Sequence, residues 1–195
     1  NPDKLKEMYS KLFDDDKVFI HAHFGTNDIE DIFAKLRYLI VGCDCKWVVV
    51  DHLHMLVSAS NEGDERRTID MIMTRLRSLV EETGAGIILV SHLRRVEGNK
   101  GHENGISVSL SHLRGSNSIA QLSDCVIALE RDQQSTDDVE SRTTRLRILK
   151  SRYTGDVGLA SSLLYDTETG RLSEHFDSEL ELSLIHISEP TRLRS

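Results

Sequence analysis

The chain of 195 residues has few prolines, few cysteines and no long apolar runs. Its only prolines, Pro2 and Pro190, leave the interior free of the residue that most strongly interrupts helices and strands. No apolar run approaches the roughly 20 residues that a membrane-spanning helix needs, so we expect no membrane span. The three cysteines, Cys43, Cys45 and Cys125, are too sparse for a disulfide framework. They predict reduced thiols in an intracellular compartment.

Basic residues are outnumbered, because 24 Lys and Arg face 32 Asp and Glu, and the formal net charge is −8. This balance argues against a uniformly basic coat on nucleic acid but allows a local basic groove. With 38% hydrophobic and 29% charged residues, the composition excludes collagen-like, mucin-like and wholly disordered chains. We therefore expect one globular domain over residues 1–178.

The two ends of the chain differ from the rest of the sequence, and we make a separate prediction for each. The first residue is Asn1 rather than Met, which indicates a fragment of a longer protein. Residues 179–195 are expected to form an unstructured tail. Its last dozen residues, 184–195, follow none of the patterning of the rest, and we interpret them as a cloning or sequencing scar.

Short apolar runs predict buried strands at Trp47–Val50, 86–90 and 125–129, each covered on both faces. Residues 18–22 are a weaker candidate of the same kind. Two helices are predicted between these runs, the first behind the cap candidates Asn27 and Asp28 and the second ending at Gly84. Their apolar stripes are Ile29, Ile32, Phe33, Leu36 and Leu39, and Ile69, Ile72, Met73, Leu76, Leu79 and Val80.

The alternation of strands and helices predicts an α/β fold with a mostly parallel sheet flanked by helices. After Leu129 the pattern changes, and half-exposed strands at 145–150, 163–165 and 171–173 predict a C-terminal antiparallel extension. A turn is expected at 166–170 and a flexible loop at 133–141.

Polar residues follow the predicted strands, at the edge where open α/β sheets bind ligands. Asp51 is suited to hold Mg²⁺ through water in a nucleotide hydrolase, although Asp is also a common turn and cap residue. His92 is placed to sense a γ-phosphate by hydrogen bonding, the alternative being a histidine satisfied by the backbone.

Basic residues are concentrated in two segments. Five cations lie within eleven residues, namely Arg142, Arg145, Arg147, Lys150 and Arg152. They would repel one another without an anionic partner, so we expect an anion there. The loop 92–102 carries Arg94, Arg95 and Lys100 and can follow a phosphate backbone, or be an ordinary solvated loop.

Histidine pairs offer an alternative from a different chemical class. His21 and His23 would share one face of a strand, a spacing seen in zinc hydrolases, and a second pair, His52 and His54, follows Asp51. Because His52 and His54 lie beyond the strand end and no further ligand set has suitable spacing, this zinc alternative is the less favoured one.

Taken in order, several motifs resemble the helicase domain of podophage bifunctional primase-helicases, over residues 4–176. The resemblance is weaker to the mitochondrial helicase Twinkle and to bacterial replicative hexameric helicases. The matching segments are 48–60, 64–66, 91–94, 113–116, 121–124, 127–131 and 147–156. Their order and spacing are more specific than any one of them.

The resemblance implies a RecA-like P-loop NTPase motor that hydrolyses ATP or dTTP with Mg²⁺ and pulls single-stranded DNA through a homo-oligomeric ring, a hexamer. It also implies a replicative DNA polymerase and a single-strand-binding protein as partners, and no membrane. The compartment would be the host cytoplasm for a phage protein, or the mitochondrial nucleoid for a Twinkle-like one.

The resemblance implies a role for each matching residue. Asp51 matches the Walker B acid, His92 the γ-phosphate sensor, and Arg152 the arginine finger given to the neighbouring subunit. The residues matched to nucleotide binding are Arg131 and Tyr165, which flank the base, with Lys150 and Gln121. Those matched to DNA binding are Arg94, Lys100, Arg114, Gly115 and Ser116.

The sequence departs from the family in three respects. It contains no Gly-x-x-x-x-Gly-Lys-[Ser/Thr] phosphate loop, it lacks the catalytic glutamate, and His112 stands where relatives carry an acid. We expect the N-terminal phosphate-loop portion to be missing by truncation, which would leave this fragment inactive in hydrolysis. The alternatives are a RecA-type recombination or clock-type ATPase, and a nucleic-acid-binding module that has lost ATPase activity.

Overall fold

The structure is a computed structural model that describes residues 2–13, 18–21, 28–58, 64–95, 101–115 and 117–175. These residues group into two compact units, one up to His92 and one from Leu93. The predicted tail at 179–195 lies outside the described residues, and the single domain over 1–178 stays a prediction. Within the described ranges, no helix has both the length and the apolar character that crossing a membrane requires.

The described residues of the first unit form a two-stranded parallel sheet and four α-helices. In β1 and β2, Trp47 lies opposite Gly86 and Val50 opposite Leu89. A π-helical turn over Tyr38–Gly42 extends the second helix. The elements are α1 (Pro2–Phe13), α2 (Ile29–Arg37), β1 (Trp47–Val50), α3 (Leu53–Ser58), α4 (Glu65–Thr83) and β2 (Gly86–Leu89).

Both predicted helices of this unit are confirmed, with Asp28 as the N-cap of α2 and Gly84 at the end of α4, and the structure adds Asp64 as the N-cap of α4. The Asp28 carboxylate accepts a hydrogen bond from the Glu30 amide at the start of α2, and Asp64 does the same for Arg66 in α4. Gly84 ends α4 in the left-handed conformation, with φ 71°. The two apolar stripes supply most of the buried core, including Phe33, Leu36, Ile69, Ile72, Met73, Leu76 and Leu79.

A bidentate ion pair joins α2 to α4. The Arg75 guanidinium donates to both Glu30 oxygens at 2.5 and 2.8 Å and lies 4.0 Å from the centre of the Phe33 ring. The hydrogen bond from Arg75 lowers the pKa of the Glu30 carboxyl.

Two expectations about this unit are wrong. The strand β1 is covered on one face only, because Val48 is 8% exposed while Trp47 and Val49 are 70% and 64% exposed. Residues 18–21 form no strand, since no described strand pairs with them, and Ala22 lies outside the described residues.

The second unit is built on a four-stranded antiparallel sheet in the order β3-β4-β5-β6. Its elements are α5 (Ser118–Leu122), β3 (Cys125–Glu130), α6 (Asp138–Arg142), β4 (Thr143–Ser151), β5 (Gly158–Tyr165) and β6 (Leu172–His175). A short 3₁₀ turn over Leu110–His112 precedes α5. The predicted α/β class and the antiparallel C-terminal extension are confirmed, and the observed partner of β3 is the antiparallel β4.

Of the two connections predicted for this sheet, one is correct and one is wrong. The predicted turn at 166–170 is present, and the Asp166 carboxylate accepts hydrogen bonds from the amides of Glu168 and Thr169, which lowers its pKa. The expected flexible loop at 133–141 instead contains the start of α6. Asp137 caps that helix by accepting a hydrogen bond from the Glu140 amide. An Asp at this position is a helix-start signal, but it is hard to recognise in a segment where most residues are polar.

Candidate functional site

Asp51 and His92 lie at adjacent strand ends in the first unit. Because β1 and β2 run parallel, their carboxyl ends share one edge, and the backbone bond from the Val90 amide to the Val50 carbonyl extends the pairing to it. The Asp51 carboxylate is exposed, and no described residue hydrogen-bonds to it or forms an ion pair with it. The edge therefore offers a free carboxylate beside an imidazole.

Three imidazoles gather at the same edge. The ring centres of His52 and His92 are 4.0 Å apart, those of His54 and His92 5.3 Å, and those of His52 and His54 6.0 Å. Sequence reasoning paired His52 with His54 but left out His92, which is 38 residues further along the chain and reaches the pair only through the parallel pairing of β1 and β2. This group is called the histidine cluster below.

The other half of the zinc alternative finds no support in the described residues. His21 belongs to a stretch without regular structure, so alternation along a strand does not operate there. His23 lies outside the described residues.

A largely apolar cavity of about 440 Å³ lies beside β1. Its lining includes Ile32, Leu36, Trp47, Met55 and the polar pair Asp51 and His52. The apolar residues of β1 were visible in the sequence, but we interpreted them as buried on both faces and so did not predict a cavity beside them.

Arg131 and Tyr165 lie at one end of the antiparallel sheet. Arg131 directly follows β3, and Tyr165 ends β5, which is separated from β3 by β4 alone. The end of α6 holds both segments, because Arg131 Nε donates to the Ser141 carbonyl at 2.6 Å and Arg142 Nη1 donates to the Tyr165 carbonyl at 3.2 Å. The predicted base-flanking pair is thus brought to one edge.

The basic cluster around β4 has anionic partners within the chain, so its charge does not by itself require an external anion. Three arginines form ion pairs, Arg142 with Asp138, Arg145 with Glu140 and Arg147 with Glu130. Asp138 and Glu140 belong to α6 and are close in sequence to the arginines that they pair with. Glu130 belongs to β3 and reaches Arg147 through the pairing of β3 with β4.

Lys150 is also satisfied internally. Its Nζ donates to the carbonyls of Ala120, Gln121 and Ser123 at 2.6, 3.1 and 2.7 Å. These are the unpaired carbonyls at the end of α5, where a cation is favourable. Lys150 and Gln121 are therefore neighbours, with the Gln121 side chain exposed. Their roles toward a nucleotide stay predictions.

Arg152 lies just past β4, at the opposite end of this strand from Arg131 and Tyr165. Its amide donates to the Asp124 carbonyl at 2.8 Å, and Nη1 lies 3.3 Å from Asp124 Oδ1. The side chain remains 58% exposed. Sequence reasoning did not identify Asp124 as a partner of Arg152. The available signal was its position directly before β3, the strand that pairs with β4.

The candidate DNA-binding segments also meet in the second unit. Leu93 and Leu113 form an antiparallel bridge, and the Arg94 amide donates to the His112 carbonyl at 2.9 Å. Arg94 and Arg114 are thus on adjoining segments, both exposed, and Gly115 follows with a positive φ of 109°. Lys100 and Ser116 lie outside the described residues.

A sequence model of the DnaB-like helicase C-terminal domain family matches residues 2–174. The chain belongs to this family. It is also 41% identical over 169 residues to the DNA helicase/primase of Enterobacteria phage T3, an alignment that covers 87% of this chain and 29% of that protein. The chain thus spans less than a third of the length of that relative.

The solved structures carry the same fold. A KaiC-like protein from Pyrococcus horikoshii OT3 superposes with a TM-score of 0.57 at 14% identity, covering 90% of this chain and 70% of that one. This likeness confirms the predicted RecA-like fold of the DnaB-like domain. The family match confirms the resemblance to replicative helicases that the sequence motifs indicated.

Proposed function

We propose that this DnaB-like domain is part of a ring-forming replicative DNA helicase that couples nucleoside triphosphate hydrolysis to movement along single-stranded DNA and to duplex unwinding. The observation that carries the proposal is the placement of Asp51 and His92 at adjacent strand ends, where a RecA-like sheet binds its ligand. The 41% identity to a phage DNA helicase/primase supports the same assignment.

The residues at this edge fit Mg²⁺. Mg²⁺ prefers oxygen ligands and keeps several of its waters, and the exposed Asp51 carboxylate supplies an oxygen held by a strand. When bound, the ion would neutralise charge on the phosphates of ATP or dTTP. Asp51 would hold the ion through water, and His92 would hydrogen-bond the γ-phosphate and report its loss to the loop that follows.

The antiparallel sheet supports a nucleotide site shared between two chains. Arg131 and Tyr165 are proposed to hold the base at one end of β4, and Arg152 to reach the γ-phosphate from the other end. The nine residues of β4 span about 25 Å, which is longer than a nucleoside triphosphate. If both assignments hold, the base-binding pair and the arginine finger of one chain serve different nucleotides, as in a ring.

DNA is proposed to contact the segments that carry Arg94, Lys100 and Arg114 to Ser116. The exposed Arg94 and Arg114 suit phosphate contacts, and Gly115 has no Cβ to hinder a close approach of the backbone. We further propose that the whole protein acts in a bacterial host cytoplasm with a replicative polymerase and a single-strand-binding protein. The 195-residue chain, which has no phosphate loop, is proposed to be inactive in hydrolysis by itself.

The substitution Asp51→Asn in the full-length protein tests the central assignment. It removes the charge that positions Mg²⁺ with little steric change, so DNA-stimulated hydrolysis should fall at least 100-fold while the protein stays folded. The matched control is Asp44→Asn, because Asp44 is an exposed acid of the same unit that forms an ion pair with Lys46 and whose positive φ of 54° Asn tolerates. Turnover of Asp51→Asn close to that of the control would rule out the metal-positioning role.

A further inference from the structure

The histidine cluster contains two imidazoles that the proposed hydrolysis does not use. His92 has a proposed role at the γ-phosphate, whereas His52 and His54 have none. One ring nitrogen from each of the three residues lies within 4.8 Å of those of the other two. Three imidazoles this close together require an explanation of their own.

The backbone fixes this arrangement. His52 follows β1, His54 lies in the first turn of α3, and His92 follows β2. The Leu53 amide, between the first two histidines, donates to the Val90 carbonyl at 2.9 Å. Leu53 itself is fully buried, so its side chain anchors the segment while the rings on either side face His92.

The polar environment of the rings suits metal ligation. His52 Nδ1 is buried, and no described residue hydrogen-bonds to it. His54 Nε2 lies 3.6 Å from the Glu65 carboxylate, and the His54 side chain is 11% exposed. A carboxylate beside a ligating imidazole commonly orients the ring and raises its basicity.

We propose that His52, His54 and His92 bind one divalent transition-metal ion of the Zn²⁺ class. Neutral imidazole is a ligand for Zn²⁺, Co²⁺, Ni²⁺ and Cu²⁺, whereas Mg²⁺ takes oxygen ligands, so this site is chemically distinct from the Asp51 site. Zn–N bonds of about 2.0 Å at tetrahedral angles place ligand nitrogens about 3.3 Å apart. Because the three nitrogens lie within 4.8 Å of one another, each separation has to shorten by at most about 1.5 Å on binding, and the fourth position stays open.

Metal binding would withdraw His92 from the γ-phosphate, and this consequence rests on the proposed function. The ion would then inhibit hydrolysis without displacing Mg²⁺. The binding step itself depends only on the three side chains, so it is measurable on the isolated chain with no nucleotide present.

Co²⁺ titration of the untagged 195-residue chain, followed by visible absorption, tests the binding step. We expect one ion per chain, intense bands of tetrahedral Co²⁺, and loss of those bands when Zn²⁺ is added. His54→Ala should lower the affinity at least tenfold, since loss of an outer-shell partner alone costs about 10–100-fold. The matched control is His175→Ala on β6, outside the cluster, which should bind unchanged.

Absence of a stoichiometric site, or equal affinity of His54→Ala and His175→Ala, would overturn the proposal. Imidazole NMR signals of the unsubstituted chain provide a second measurement that does not depend on the folding of a variant. On addition of Zn²⁺, the signals of His52, His54 and His92 should shift together, and those of His112 and His175 should not. Shifts confined to other histidines would also refute the site.

Inhibition is then measured separately in the full-length protein. Zn²⁺ at concentrations that fill the site should suppress hydrolysis, and His54→Ala should require at least tenfold more Zn²⁺ for the same inhibition. Binding without inhibition would retain the metal site and count against the γ-phosphate role of His92, so the two proposals fail in distinguishable ways.

Discussion

Single residues in this chain act through partners that are distant in sequence. Glu130 is 6% exposed at the end of β3, and its Oε1 accepts from the Val108 amide at 2.6 Å and from Arg147 Nε at 2.9 Å. One carboxylate thus fixes the loop before α5 and satisfies a cation of the neighbouring strand. Removing it would leave a buried amide and a guanidinium unpaired.

Glu130→Ala should therefore destabilise the chain by about 3 kcal/mol, the lower end of the cost of breaking a buried ion pair, because Arg147 keeps some contact with solvent. Urea unfolding monitored by circular dichroism measures this difference. Glu168→Ala, in the exposed turn after β5, is the control and should change stability by less than about 0.5 kcal/mol. A similar small effect for both variants would show that Glu130 is dispensable.

The helices of the first unit depend on their ends as much as on their apolar faces. In α4, Asp64 accepts from the amides of Arg66 and Arg67 at one end. At the other end, the Gly84 amide donates to the Val80 carbonyl at 2.8 Å. Gly84 has φ 71°, and a Cβ added there would meet no atom within 4 Å. The glycine is therefore required by the backbone conformation and not by space.

Replacement of Gly84 tests whether its backbone conformation, and not the space around it, requires a glycine. Gly84→Ala should lower the free energy of unfolding by about 1 kcal/mol, since the left-handed conformation is unfavourable for a residue with a Cβ. Gly84→Asn should cost less than the alanine variant, because Asn tolerates that conformation. Thermal or urea unfolding of the two variants gives the order, and an asparagine variant less stable than the alanine one would contradict it.

Local signals allowed the helices to be predicted, but pairing between segments did not follow from them. The apolar stripes of α2 and α4 and the residues that end these helices, Asp28 and Gly84, each lie within one short segment of the sequence. The exposure of Trp47 depends on what packs over β1, which no local pattern contains. The approach of His92 to His52 depends on strand pairing for the same reason, and so does the ion pair between Arg147 and Glu130.

At the scale of the whole molecule, the most informative feature is the separation of candidate nucleotide groups along β4. Arg131 and Tyr165 lie at its start and Arg152 just past its end, where a largely exposed guanidinium contacts Asp124. A planar guanidinium that stays protonated is suited to stabilise charge on a transferring phosphoryl group. We expect Arg152 to act across the interface between two chains.

Mixed rings of two inactive full-length variants test this arrangement. Arg152→Ala should leave folding and nucleotide binding intact and lower hydrolysis by about 10³–10⁵-fold, as for other arginine fingers. Asp51→Asn should be inactive for a different reason, the loss of metal positioning. If the two residues serve one site from different chains, a mixed ring contains interfaces that pair an intact Asp51 with an intact Arg152, and hydrolysis should recover in part with a maximum near equal mixing. No recovery at any ratio, with mixed rings verified by mass spectrometry, would place both residues in sites of the same chain or make Arg152 a structural partner of Asp124.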